Sequence, residues 1–198
     1  WIISGDNGGP ILSSDYFDDS DYTFSNVPLI WGWASWSDRW KKYDDNLDNW
    51  TLGTIKNYKY LNHVSFFEKF IVGRICKNSS KSKVKNFWDF QLYSSMLKNG
   101  GYAILPKYNL ISNIGWGEEA THTKDESFRT KVPSEDFEVL KYNELISTNK
   151  KINNIITYSI HTNTPKSVID LGSLYLVRFL YLLKRIQYYF SYIRKYLK

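Results

Sequence analysis

The chain has 198 residues, 42% hydrophobic and 18% aromatic, enough length and apolar content for one globular domain with a buried core. Its net charge of +6 sits at one end: residues 174–198 hold Arg178, Lys184, Arg185, Arg194, Lys195 and Lys198 and no acid, and the rest balances at 20 basic and 20 acidic side chains. A neutral body argues against a nucleic-acid partner, and the lone Cys76 excludes an internal disulfide framework or a CxxC zinc cluster.

WIIS opens the chain as a buried strand entered midway, with no basic start and apolar run of a secretory signal. We expect the sequence to be the C-terminal part of something longer. GDNGGP is turn-rich, and residues 11–27 read as an acidic loop carrying Asp15, Asp18, Asp19 and Asp21. Their spacing lacks the ordered ligand positions of an EF-hand. In residues 28–44, Trp33, Trp36 and Trp40 fall at helical spacing, with Ser35 or Ser37 as the cap and Trp36 and Trp40 packing into the core. Gly32, between Trp31 and Trp33, marks a place where something approaches the backbone closely.

A helix is predicted over residues 61–76, with His63 a surface or core histidine and Cys76 a buried thiol. A polar basic loop follows. NFWDFQLYSSMLKNGG then reads as a helix over about 87–98, capped by Asn86 and ended by Gly100 and Gly101. GYAILP is a short strand stopped by Pro106, and NLISNI is strand-like. GWGEEATHT has the composition of a mobile functional loop, or of a plain surface loop. Residues 124–165 are polar and weakly patterned. The last stretch is a long helix with Lys184, Ser191, Arg194, Lys195 and Lys198 gathered on one side. Its apolar runs are too short to span a bilayer. It fits an anionic membrane surface, in competition with docking on the body or on a partner.

Asp89 sits between Trp88 and Phe90 at the head of the 87–98 helix. One reading is a first-turn acid that stabilises its helix. The other is a base shielded from water, since aromatic neighbours raise a carboxylate's affinity for a proton while the helix start lowers it.

Four segments in order, SGDNGG (4–9), IWGWASW (30–36), FWDFQ (87–91) and NIGWGEEATHT (113–123), resemble the C-terminal half of bacterial nucleotide-sugar glycosyltransferases of the GT-A fold. The closer resemblance is to the group called "hemolytic protein HlpA-like", which carries GWATW, WDYQW and SNIGFGEDATHT blocks. The more distant one is to the Golgi N-acetylglucosaminyltransferase that initiates complex N-glycans. It covers residues 1–125 and omits the basic tail.

The resemblance implies an α/β fold, the C-terminal part of a nucleotide-diphospho-sugar transferase, with a mixed sheet, flanking helices and a C-terminal amphipathic helix. Residues 1–125 would be the acceptor-side half, 126–170 a polar connecting region and 171–198 the basic helix. The nucleotide-binding half would lie upstream, with an Asp-X-Asp motif that grips a divalent manganese or magnesium. Asp18-Asp19-Ser20-Asp21 has no apolar strand before it and does not substitute for that motif, so this segment alone is expected to be inactive.

Within this picture Asp89 matches the general base of inverting transfer. His122 matches a histidine of the loop that folds over the donor, and would ligate the metal or stand in solvent. Gly115 and Gly117 would hinge that loop with Trp116 as its lid, and Glu118 and Glu119 follow it. Gly32 and Trp33 match the segment lining the donor and acceptor cleft, and Trp88 flanks the base. Asp6 and Asn7 match a turn nearby, where they would bind sugar hydroxyls or fix the turn.

The implied function is hexosyl or N-acetylhexosaminyl transfer from a nucleotide-sugar donor to a glycan or lipid-linked acceptor. The implied location is cytoplasmic, peripheral on the inner face of the membrane. A carbohydrate- or membrane-surface-binding module with no chemistry is the alternative.

Overall fold

The computed structural model describes residues 1–9, 12, 14–17, 19–45, 88–120, 132–143 and 145–162. The expected helix at 61–76 with His63 and Cys76, Asn86, His122 and the basic helix 171–198 lie outside the described residues.

The apolar opening forms strand β1 (Ile2–Ser4), as its β-branched residues predict. Ile2 and Ser4 point inward and Ile3 outward, the alternation of a pleated strand. β1 is an inner strand of a four-stranded mixed sheet with β2 (Tyr22–Ser25), β3 (Trp33–Ser35) and β4 (Ala103–Pro106), in the order β2-β4-β1-β3. β1 runs antiparallel to β3, with Ile2 opposite Ser35 and Ser4 opposite Trp33. It runs parallel to β4, with Ile2 opposite Ala103. β2 closes the far edge antiparallel to β4, from Tyr22 opposite Pro106 to Ser25 opposite Ala103. Flanking helices complete a fold of the α/β kind.

Four expectations are corrected here. Residues 11–27 are not all loop, because Tyr22–Ser25 is β2. Residues 33–40 are not one helix: Trp33–Ser35 is β3, and α1 (Ser37–Trp40) is a single turn. Pairing with β1 satisfies the 33–35 backbone, and Trp36 stays extended as the helix's N-cap without a side-chain cap bond. Ser35 caps nothing; its hydroxyl donates to the Trp1 carbonyl at 2.7 Å. Nor are Trp36 and Trp40 core residues, being 47% and 46% exposed. NLISNI is irregular rather than a strand.

Helix α2 (Trp88–Lys98) sits where the sequence puts it. Its stop follows from two glycines: Gly100, at φ 64°, donates to Leu97 O, and Gly101 donates to Met96 O. This paired C-terminal closure needs a left-handed residue that glycine supplies without strain. Leu92, Met96 and Leu97 of α2 enter the same apolar core as Ile2, Leu29 and Leu105.

The other main helix, α3 (Lys150–Thr162), arises inside the stretch expected to be a polar connector. Asn149 caps it, its Oδ1 accepting from Lys151 N at 2.9 Å and Ile152 N at 3.3 Å. Ile152, Ile155 and Ile156, spaced three and four apart, complete the core. Between them Asn153 is fully buried, and its Oδ1 accepts from Ser25 Oγ at 2.9 Å and Asn26 N at 3.1 Å. α3 is thereby tied to the end of β2.

Candidate functional site

One face of α2 fixes the segment that follows α1. Gln91, Ser95 and Lys98 are four and three residues apart, so they line one side of the helix. Gln91 Oε1 accepts from the Tyr43 hydroxyl, and Gln91 Nε2 donates to Asp45 O at 3.1 Å. Ser95 Oγ accepts from Asp44 N at 2.8 Å, and Lys98 pairs with the Asp44 carboxylate at 2.9 Å. These bonds bring Tyr43 to the first turn of α2, where Asp89 stands half-buried. Burial pushes the Tyr43 phenol above its ordinary value, and the charges of Asp45 and Asp89 add to that. Asp89 is therefore near enough to Tyr43 to act on it electrostatically.

An aromatic stack runs past the same turn. Trp88, the first residue of α2, stacks on Trp33 with ring centroids 5.5 Å apart. Trp33 meets Trp40 at 5.8 Å, and Trp40 stacks on Tyr43 at 4.9 Å. The order is Trp88, Trp33, Trp40, Tyr43. Edge strand β3, the turn α1 and helix α2 each supply part of it. Trp88 remains 41% exposed and Trp40 46%. Reading the sequence as a core stripe missed Trp40 and Tyr43 as site residues. The signal that could have found them is the spacing of an aromatic pair three apart, directly after IWGWASW.

Gly32 is the close-approach point that its setting predicted. Its φ is +56°, and a Cβ there would stand 2.5 Å from Ile111 Cγ2. Gly5 N donates to Gly32 O at 2.6 Å, and Leu110 N donates to Gly5 O at 2.9 Å. The turn after β1, the approach to β3 and the chain beyond β4 thus meet at one place. The 113–120 loop continues outward from there, with Ile114 90% exposed and Trp116 half-buried. Gly117, at φ +124°, has no atom within 4 Å of where a Cβ would lie.

Asp6 and Asn7 are buried and serve the turn. Asp6 Oδ1 accepts from Gly8 N at 2.6 Å, and Asn7 Oδ1 accepts from Gly9 N at 2.8 Å. Asn7 Nδ2 donates to Lys107 O at 2.9 Å. The residues brought together are therefore Gly32, Trp33, Trp88 and Asp89, joined by Trp40 and Tyr43. Among the described residues no three His, Cys, Asp or Glu side chains gather as a metal site.

Chemically, the arrangement offers a carboxylate at a helix start, where the backbone dipole favours its anion, beside flat apolar rings. It can accept a proton from a hydroxyl on a ligand seated against those rings. Comparison with protein-family models, with curated proteins and with solved structures finds no match to this chain.

Proposed function

We propose that these residues form the acceptor-side part of an inverting, nucleotide-sugar-dependent glycosyltransferase of the GT-A fold, which moves a hexosyl or N-acetylhexosaminyl group onto a glycan or lipid-linked acceptor. The observation that carries the reading is the meeting of separate sequence blocks. Trp33 of IWGWASW stacks on Trp88 of FWDFQ beside Asp89, while Gly5 of SGDNGG bonds to Gly32. Ile111, just before NIGWGEEATHT, packs on the same glycine.

In this mechanism Asp89 takes the proton of an acceptor hydroxyl. The oxygen's electron pair forms the new bond to the anomeric carbon as the bond to the diphosphate oxygen breaks on the opposite face. The nucleoside diphosphate leaves with that electron pair. Trp88 and Trp33 shield the base from water and orient the acceptor. Gly115 and Gly117 let the 113–123 loop, with its Trp116, close over the donor.

A divalent manganese or magnesium ion belongs, in this reading, to an Asp-X-Asp segment outside this sequence, with His122 as a further ligand. The described residues do not assemble a metal site, and no step is routed through one. No helix among the described residues is long and apolar enough to cross a membrane. The basic 174–198 segment would hold the protein on the anionic inner face of the membrane, near lipid-linked glycans.

The half-exposed tryptophans also favour the second reading, a carbohydrate-binding module without chemistry. Asp89→Asn in the full-length protein separates the two. We expect transfer to fall about 10²–10⁴-fold while glycan binding persists. Transfer at the wild-type rate would remove Asp89 from the mechanism.

A further inference from the structure

Trp88, Trp33 and Trp40 are three indoles in one small region, and two of them keep more than two-fifths of their surface in water. Indoles are ordinarily among the most buried side chains on average, and leaving them open forfeits apolar transfer energy. A stack held open in this way marks a ligand surface. The rings also hold one another: Trp33 supports Trp88 and Trp40, Tyr43 backs Trp40, and Gln91 fixes Tyr43. Such mutual support lowers the entropy lost when a ligand arrives.

Charge narrows the ligand. Among the described residues close to the stack in sequence or acting on Tyr43, Asp38, Asp44, Asp45 and Asp89 stand against Arg39, Lys41, Lys42 and Lys98. Arg39 lies 3.6 Å from the Asp38 carboxylate and Lys98 2.9 Å from that of Asp44. These described charges balance, so they give no preference to a diphosphate or to a cationic ligand. A neutral ring with an apolar face and hydroxyl edges fits. Trp88 and Trp40 each offer open surface and both pack on the intervening Trp33, which makes a footprint larger than a single sugar ring.

We propose that the Trp88–Trp33–Trp40–Tyr43 stack binds a neutral oligosaccharide of two or more sugar rings. The ring seated on Trp88 brings its hydroxyl to Asp89, and the next rings run over Trp40. Naming this oligosaccharide as the acceptor rests on the transferase reading; the binding itself does not. Trp40 and Tyr43 lie outside the four blocks, so they set acceptor length independently of the motifs.

The test uses the full chain, without donor, on an array of neutral oligosaccharides from monosaccharides to tetrasaccharides, with free nucleoside diphosphates alongside. Affinities for the best binders are then measured by calorimetry. We expect longer glycans to bind more tightly. Trp40→Ala and Trp88→Ala should each weaken the best tetrasaccharide by about ten-fold, with Trp40→Phe recovering part of the loss. Tyr142→Ala, at an exposed position outside the stack, serves as the unchanged control. Circular dichroism checks that each variant folds, and Trp40→Phe keeps the test decisive if an alanine variant does not. Binding to no neutral glycan, binding to nucleoside diphosphates alone, or wild-type affinity in both folded alanine variants would overturn the proposal. Glycan binding by a full-length protein that, once given a nucleotide-sugar donor, transfers nothing would sink the transferase reading and leave the stack's role standing. Transfer without glycan binding would sink the stack's role alone.

Discussion

Tyr43 carries its phenol between the Gln91 carboxamide and the charges of Asp45 and Asp89. Burial is the largest influence on it, and both carboxylates oppose a second negative charge. A phenol held above its ordinary value of 10.0 favours the neutral form in the folded state. Its contribution to stability is whole below that ordinary value and is lost as pH rises through the raised one. Phenolate absorbance during alkaline titration reads this directly. Subtracting the Tyr43→Phe curve should isolate a component that titrates later than ordinary tyrosine. Asp89→Asn should move that component to lower pH, because it removes one of the opposing charges. An unmoved component would place the Asp89 carboxylate too far from Tyr43 for the geometry described. Asp6 and Asn7 teach a related lesson about single residues. Short polar side chains after a strand are as well suited to bonding their own turn as to gripping a ligand, and here an oxygen of each bonds the turn.

Among the elements, α2 was the most legible because its signals are local: an apolar periodicity and a two-glycine stop. β1 and β4 were legible for the same reason, as apolar runs bounded by Gly or Pro. The 33–40 stretch was misread because tryptophans spaced three and four apart suit a helix, whereas what makes Trp33–Ser35 a strand is β1, about thirty residues away in sequence. α3 was missed because its isoleucines are diluted on the buried side by Asn153, Thr157 and Ser159. The junction at Gly32 was legible as a close approach, but not its partner, Ile111. That junction makes a prediction for the edge of the sheet. Gly32→Ala combines a left-handed backbone with a steric overlap on Ile111, and should destabilise by about 1–3 kcal/mol, read as a fall in Tm. Adding Ile111→Ala should recover the steric part and leave the backbone part. A Gly32→Ala protein with unchanged Tm would mean that the loop beyond β4 does not rest on this glycine.

Across the molecule, the part proposed to act as a transferase ends at residue 125, yet the core does not. Ile152 and Ile156 are wholly buried among side chains from β1, β4 and α2. Ile156→Ala should cost about 2–5 kcal/mol, measured by denaturant unfolding. A cost typical of an exposed site would show that α3 is peripheral. This dependence on α3 was illegible because it exists only through contacts remote in sequence, such as Ser25 with Asn153, which are 128 positions apart. It also bears on how the protein is made. β1 waits about a hundred residues for β4, its parallel neighbour, and the layer they form waits again for the isoleucines. Long-range closures of this kind slow folding and leave apolar surface uncovered meanwhile. On the ribosome, β1 can therefore pair with β3 early, but its apolar side stays open until β4 and then Ile156 have been translated.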